Sequence, residues 1–133
     1  METIDLTSFK NAKTRLHEIL VRYEKDNHDL DIRDAVIKRF EYTYSLALKM
    51  IYRYLRHTSP EMDAIPEFNE AIRLANQRGL LFSNLEKWND YRLKRNMSSH
   101  TYDDIVAENI LSIIYDFVED VDFLYSELDK RLW

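Results

Sequence analysis

Three side chains that can do chemistry lie within one short polar segment, residues 95–102, which reads RNMSSHTY. Arg95 can hold two phosphate oxygens through its planar guanidinium, and His100 can exchange a proton near neutral pH. Tyr102 adds a phenolic oxygen. The spacing Arg-x4-His-x-Tyr therefore predicts a site that binds a phosphate and moves a proton.

Two further cations, Arg92 and Lys94, stand just before this segment, whereas the chain after it is rich in acidic residues. The formal net charge of -5 argues against a broad basic face that binds nucleic acid. A polyanion would therefore bind at this local cluster of cations. We take Arg92, Lys94, Asn96 and Ser99 as candidate substrate-binding residues. The alternative is that the cations complement a helix C-terminus, while Asn96 and Ser99 make turns and caps.

The composition indicates an all-helical, soluble protein. The 133 residues suit a single domain, residues 1–133, with a packed core, and the single Gly and two Pro leave few tight turns. No apolar run approaches the roughly 20 residues that span a bilayer, and the N-terminus has no signal-peptide layout. Cysteine is absent, which fits a reducing compartment. We expect a cytoplasmic protein without membrane contact.

Hydrophobic residues at three- and four-residue steps predict five helices, four of them long. The predicted helices are residues 8–25, residues 31–57, a shorter one between Pro66 and Gly79, one from a capping box at Ser83 and Glu86 through Arg95, and one through residues 106–128. Pro60 is expected to end the second helix, and Thr101 to cap the fifth. Short links between long helices favour an antiparallel up-and-down bundle.

This layout places the polar segment at the joint between the fourth and fifth helices. Arg95 falls in the last turn of the fourth helix, and His100 just precedes the fifth. In a continuous helix, five residues would turn these side chains about 140° apart. We therefore expect a bend at Ser98 and Ser99 to bring them together, with the amides of the following helix start available to an anion.

The motif Arg95-x4-His100-x-Tyr102, together with RFEYTY at residues 39–44, resembles the minimal HEPN proteins, also called nucleotidyltransferase substrate-binding proteins. The resemblance covers nearly the whole chain. Ser45 and Ala47 depart from it, since an acidic residue and a tryptophan are expected there. The resemblance implies a helical bundle that dimerises and is paired with a small, separate nucleotidyltransferase.

It further implies the toxin of a prokaryotic toxin–antitoxin pair. Such a subunit is a metal-independent ribonuclease that its partner silences by transferring AMP to the motif tyrosine. Carried onto this chain, Arg95 and His100 would be the catalytic pair and Tyr102 the AMP acceptor. RNA would be the substrate, and the cognate nucleotidyltransferase would be the antitoxin.

The chemistry of RNA cleavage is compatible with these roles. RNA supplies its own nucleophile, the ribose 2′-hydroxyl, so cleavage needs proton transfer and positive charge at the phosphorane, and no metal. The expected product is a 2′,3′-cyclic phosphate. One His100 supplies one proton-transfer group, so we expect a homodimer that brings two copies of the joint together in a cleft.

Other interpretations remain open. The protein could be a noncatalytic subunit that presents nucleotide or another substrate to a nucleotidyltransferase, or a purely structural helical dimer. Glu41 could orient Arg95, although a solvated carboxylate is the simpler interpretation. The scattered histidines lack the spacing of a helical metal site, and no glycine-rich phosphate loop is present, so we expect neither a metal nor a bound cofactor.

Overall fold

Six α-helices and one short 3-10 helix make up the part of the chain that this computed structural model describes, residues 4–59 and 66–132. They are α1 (Thr7–Lys25), α2 (Leu30–Thr58), α3 (Phe68–Gln77), α4 (Leu85–Met97), the 3-10 helix η1 (Ser98–His100), α5 (Asp104–Leu111) and α6 (Ile114–Arg131). The predicted all-helical bundle is confirmed, with six helices instead of five.

The long helix α2 is the centre of the bundle. Its apolar residues cover more than one face, and it touches α1, α3, α4, η1, α5 and α6. The side chain of Asp29 starts it by accepting hydrogen bonds from the amides of Asp31 and Ile32. Every element that carries part of the polar segment therefore lies against the same helix.

An aromatic cluster fills the core between α2, α4 and α6. The rings of Phe40 and Phe117 meet edge to face with centroids 4.8 Å apart, and Tyr91 lies edge-on to both Phe117 and Trp88 at 5.2 Å. The Tyr91 hydroxyl donates a hydrogen bond to the buried carboxylate of Asp120. This cluster fixes α4, and hence the start of the polar segment, against α2 and α6.

The end of α3 follows the sequence prediction. Gly79 has a positive φ of 74°, and it lies just beyond the helix, where its amide donates to the carbonyl of Asn76. The Leu80 amide donates to the carbonyl of Ala75. Together these two bonds form the glycine-terminated helix end known as a Schellman motif.

Three predicted helix starts are wrong. Phe68, not Pro66, begins α3. The cap of α4 is Asn84, which accepts a bond from the Lys87 amide, because the Ser83 carbonyl is already bonded to the side chain of Asn76. The cap of α5 is Asp103 instead of Thr101, which keeps helical backbone angles. Pro60 lies outside the described residues.

The predicted fifth helix is two helices. After Leu111 the chain makes a turn at Ser112 and Ile113 before α6 begins. The Ser112 hydroxyl donates to the carbonyl of Asn109, and the Ile113 amide donates to the carbonyl of Ile110, three residues back instead of four. This tightened turn inserts no residue into the apolar pattern, which explains why periodicity alone predicts one helix.

Candidate functional site

Arg95 lies in the last turn of α4, as predicted, and is held by two neighbours. Its Nη1 is 3.3 Å from the Ser98 hydroxyl oxygen and 3.9 Å from a carboxylate oxygen of Glu41 on α2. Buried Ser98 also donates its hydroxyl hydrogen to the Arg95 carbonyl at 2.7 Å. Glu41 is thus an ion-pair partner instead of the solvated carboxylate we favoured, yet 37% of the Arg95 side chain stays exposed to solvent.

His100 and Tyr102 form a second pair. The hydroxyl oxygen of Tyr102 lies 3.1 Å from His100 Nδ1, and the two rings meet edge to face at 5.8 Å. Both residues are exposed, and Tyr102 keeps 82% of its surface in solvent. When Nδ1 donates to the phenolic oxygen, the other ring nitrogen of His100 is unprotonated and can accept a proton, since it makes no hydrogen bond to a described residue.

The backbone between these two pairs is tighter than predicted. Instead of bending at Ser98 and Ser99, the chain passes from α4 directly into η1. Arg95 and His100 share no hydrogen bond within the protomer. The single subunit therefore presents two groups that are close along the chain, one that can hold a phosphate and one that can move a proton.

The four candidate substrate-binding residues make no hydrogen bond or ion pair with one another in the described part of the chain. The Arg92 guanidinium lies over the ring of Phe68 at 4.7 Å, and Lys94 pairs with Asp90 at 3.0 Å. Asn96 and Ser99 are exposed, and neither side chain has a hydrogen-bond partner among the described residues. Arg92 remains exposed despite its aromatic contact, whereas the side chain of Lys94 is largely covered.

Sequence analysis missed Arg33, which is near the start of α2 and is 7% exposed. Its Nη1 donates to Asp104 at 3.0 Å, and its Nη2 donates to the carbonyl of Thr101 at 3.4 Å. Thr101 is the residue between His100 and Tyr102. No local pattern could have revealed this contact, because its partners are 68 and 71 residues away along the chain.

Two tyrosines of α2, Tyr44 and Tyr52, lie within the electrostatic influence of arginines of the site. Burial raises the pKa of the Tyr44 hydroxyl to about 12, and the positive charges of Arg92 and Arg95 oppose that rise. Burial also raises the pKa of Tyr52, again against the charge of Arg92. Both phenols therefore stay neutral at physiological pH and do not offset the charge of the two arginines.

The described residues show neither a metal-binding cluster nor a helix that could span a membrane. Within residues 4–59 and 66–132, no group of three or more histidine or carboxylate side chains is arranged to hold a metal ion. Over those ranges, too, no helix has the length and apolarity to cross a membrane.

Comparisons with known proteins agree with this architecture. Residues 4–130 match the family described as nucleotidyltransferase substrate binding protein like. A Haemophilus influenzae protein named probable ribonuclease HepT is 37% identical over 99 residues, which are 73% of this chain and 67% of that protein.

Two solved structures share the fold. One is a Haemophilus influenzae protein described as a substrate-binding domain of a nucleotidyltransferase, with a TM-score of 0.87 and 29% identity over 94% of this chain and 99% of that one. The other, from Thermus thermophilus, has a TM-score of 0.69 and 26% identity over 88% of this chain and 98% of that one. The chain belongs to the minimal HEPN family of nucleotidyltransferase substrate-binding proteins.

Proposed function

We propose that this protein is the toxin of a toxin–antitoxin pair and cleaves RNA without a metal ion. Arg95 and His100 are the catalytic residues of the proposal, and a cognate nucleotidyltransferase is the antitoxin. The observation that carries it is the exposed pairing of His100 with Tyr102 on the turn that directly follows Arg95. The name probable ribonuclease of the relative that is 37% identical supports the same activity.

The proposed reaction uses the substrate's own hydroxyl. His100 takes the proton of the ribose 2′-hydroxyl, the resulting oxygen attacks the adjacent phosphorus, and the bond to the 5′-oxygen breaks. Arg95 stabilises the negative charge of the phosphorane, because its guanidinium stays charged and offers a planar pair of donors. The leaving oxygen takes a proton from a second group, and the product carries a 2′,3′-cyclic phosphate.

The same geometry supports the proposed silencing by AMP. Transfer of AMP to Tyr102 would replace the hydrogen of the phenolic oxygen, which lies 3.1 Å from His100 Nδ1, and would add a negative phosphate beside that ring. The added phosphate would occupy the anion site and repel RNA. With 82% of its surface exposed, Tyr102 is accessible to a modifying enzyme without unfolding.

A second candidate is a noncatalytic subunit that presents nucleotide to a nucleotidyltransferase. The description of the Haemophilus influenzae structure as a substrate-binding domain favours it. Arg95, with more than a third of its side chain exposed, could hold a nucleotide phosphate as well as an RNA phosphate.

Incubation of the purified protein with RNA in EDTA separates the two candidates. We expect the wild type to cut and His100→Ala to cut roughly 100-fold more slowly, because general acid–base catalysis contributes at least that much. The control is His57→Ala in the last turn of α2, which should cut like the wild type. Binding of nucleotide without cleavage would instead support the second candidate, and equal cutting by the His100→Ala variant would exclude this site.

A further inference from the structure

Arg33 joins the central helix to the segment that carries His100 and Tyr102. Its guanidinium bonds to the carboxylate of Asp104 on one side and to the carbonyl of Thr101 on the other. Asp104 is largely exposed, whereas the side chain of Arg33 is almost completely buried. The buried Arg33 thus bonds to an exposed turn of the protein.

Stability alone does not account for a buried arginine here. Removing a guanidinium from water is unfavourable unless its donors are all bonded, and Nε of Arg33 has no hydrogen-bond partner among the described residues. Asp34 forms an ion pair with that nitrogen at 3.8 Å, a distance too long for a hydrogen bond. An apolar side chain of similar volume would often stabilise such a position equally well.

The hydrogen bonds of Arg33 act on the backbone between the two functional side chains. The Asp103 amide donates to the carbonyl of His100 at 3.0 Å, and Arg33 bonds to the next carbonyl, that of Thr101. Two successive carbonyl groups are thereby fixed in direction. Because side-chain directions follow from the backbone, this also sets the relative positions of the His100 and Tyr102 rings.

We propose that Arg33 is a positioning residue that holds His100 and Tyr102 in their paired arrangement. The inference rests on the proposed function for its catalytic consequence. Lysine is a poor substitute, because the contact needs two donors that reach two acceptors at once, and a planar guanidinium provides them in a fixed fork.

Kinetics of two variants test the inference. Arg33→Met keeps the volume without the donors, and Arg33→Lys keeps the charge without the fork. We expect Arg33→Met to lower kcat for RNA cleavage roughly tenfold or more with KM little changed, since Arg95 still holds the phosphate. Arg33→Lys should recover part of the loss. A folded Arg33→Met protein that cuts at the wild-type rate would overturn the inference.

The matched control is Arg78→Gln. Arg78 also makes two hydrogen bonds, to the hydroxyls of Thr58 and Ser59, but these lie about 38 Å from Arg33 along α2. This variant should cut RNA like the wild type. If Arg78→Gln slows cleavage as much as Arg33→Met, the effect is not specific to the polar segment and the inference fails.

The imidazole NMR signals of the histidines separate this inference from the proposed function. Arg33→Met and Arg33→Lys should shift the His100 signal and leave those of His17 and His57 in place. If the wild type does not cut RNA, the nuclease proposal fails, but a shifted His100 signal still supports the positioning role. An unchanged His100 signal in both variants overturns the positioning role, whatever the RNA assay shows.

Discussion

Tyr44 buries a hydroxyl that lacks a hydrogen-bond partner among the described residues. Its side chain is 5% exposed, and its ring packs beside those of Phe40 and Phe117. A buried donor without an acceptor destabilises the fold, so this phenol is a weak point of the core. This hydroxyl is within the electrostatic influence of the positive charges of Arg92 and Arg95.

Tyr44→Phe should therefore stabilise the protein by about 1 kcal/mol near neutral pH, because the unpartnered hydroxyl is removed. It should also change the response to alkali. The pKa of Tyr44 is about 12 in the folded protein and 10.0 in the unfolded chain. Between these two pH values the folded state keeps a proton that the unfolded state loses. Stability falls as the pH rises between these two values, by about 2 to 3 kcal/mol from this group.

Urea unfolding near neutral pH and at about pH 11 measures both effects. Tyr44→Phe should unfold at higher urea than the wild type, and by a wider margin at the alkaline pH. Tyr102→Phe, which removes an exposed hydroxyl, is the control and should show neither difference. A Tyr44→Phe protein less stable than the wild type near neutral pH would mean that the hydroxyl has a partner after all.

At the residue scale, the sequence predicts which residues form the site better than it predicts which residues they contact. The motif located Arg95, His100 and Tyr102 because its members are close along the chain. The contacts of Arg33 and Glu41 join α2 to residues more than fifty positions away, and no local pattern encodes them. Such contacts depend on how the helices pack.

At the element scale, apolar periodicity located the helices but not their ends. The bounds of α1 and α2 lie within one residue of those predicted, since long stripes define them well. The starts of α4 and α5 moved because several polar residues competed to cap each helix, and tertiary contacts decided the choice at Ser83. The turn at Ser112 could not be predicted from the sequence because it preserves the apolar spacing.

Gly79 follows the end of α3 in a conformation that disfavours a side chain. Its φ of 74° is unfavourable for other residues, and a Cβ atom would lie 3.3 Å from Nη2 of Arg131. Gly79→Ala should lower the free energy of unfolding by about 1 to 2 kcal/mol. Thermal or urea unfolding measures it, with Gln77→Ala in the preceding turn as the control. An unchanged midpoint in Gly79→Ala would show that this helix end can rearrange.

At the scale of the whole molecule, the proposed chemistry needs more than one subunit. A protomer contributes one His100, while cleavage requires one group to remove a proton and another to return it. The proposed homodimer supplies the second His100 if both joints face one cleft.

Mixed dimers test this arrangement. Wild-type and His100→Ala subunits are refolded together in different ratios, and RNA cleavage is measured. If each centre needs both histidines, activity varies with the square of the wild-type fraction, so equal mixing leaves about one quarter of it. Self-contained centres would leave about one half and contradict the proposal. Mixing with His57→Ala subunits should cause no loss.

The central position of α2 has a consequence for control of the molecule. Glu41 holds the guanidinium side of the site and Arg33 holds the imidazole side, and both belong to this one helix. The two halves therefore share one support, so a displacement of α2 would move both. The proposed AMP transfer to the exposed Tyr102 would act without moving that support.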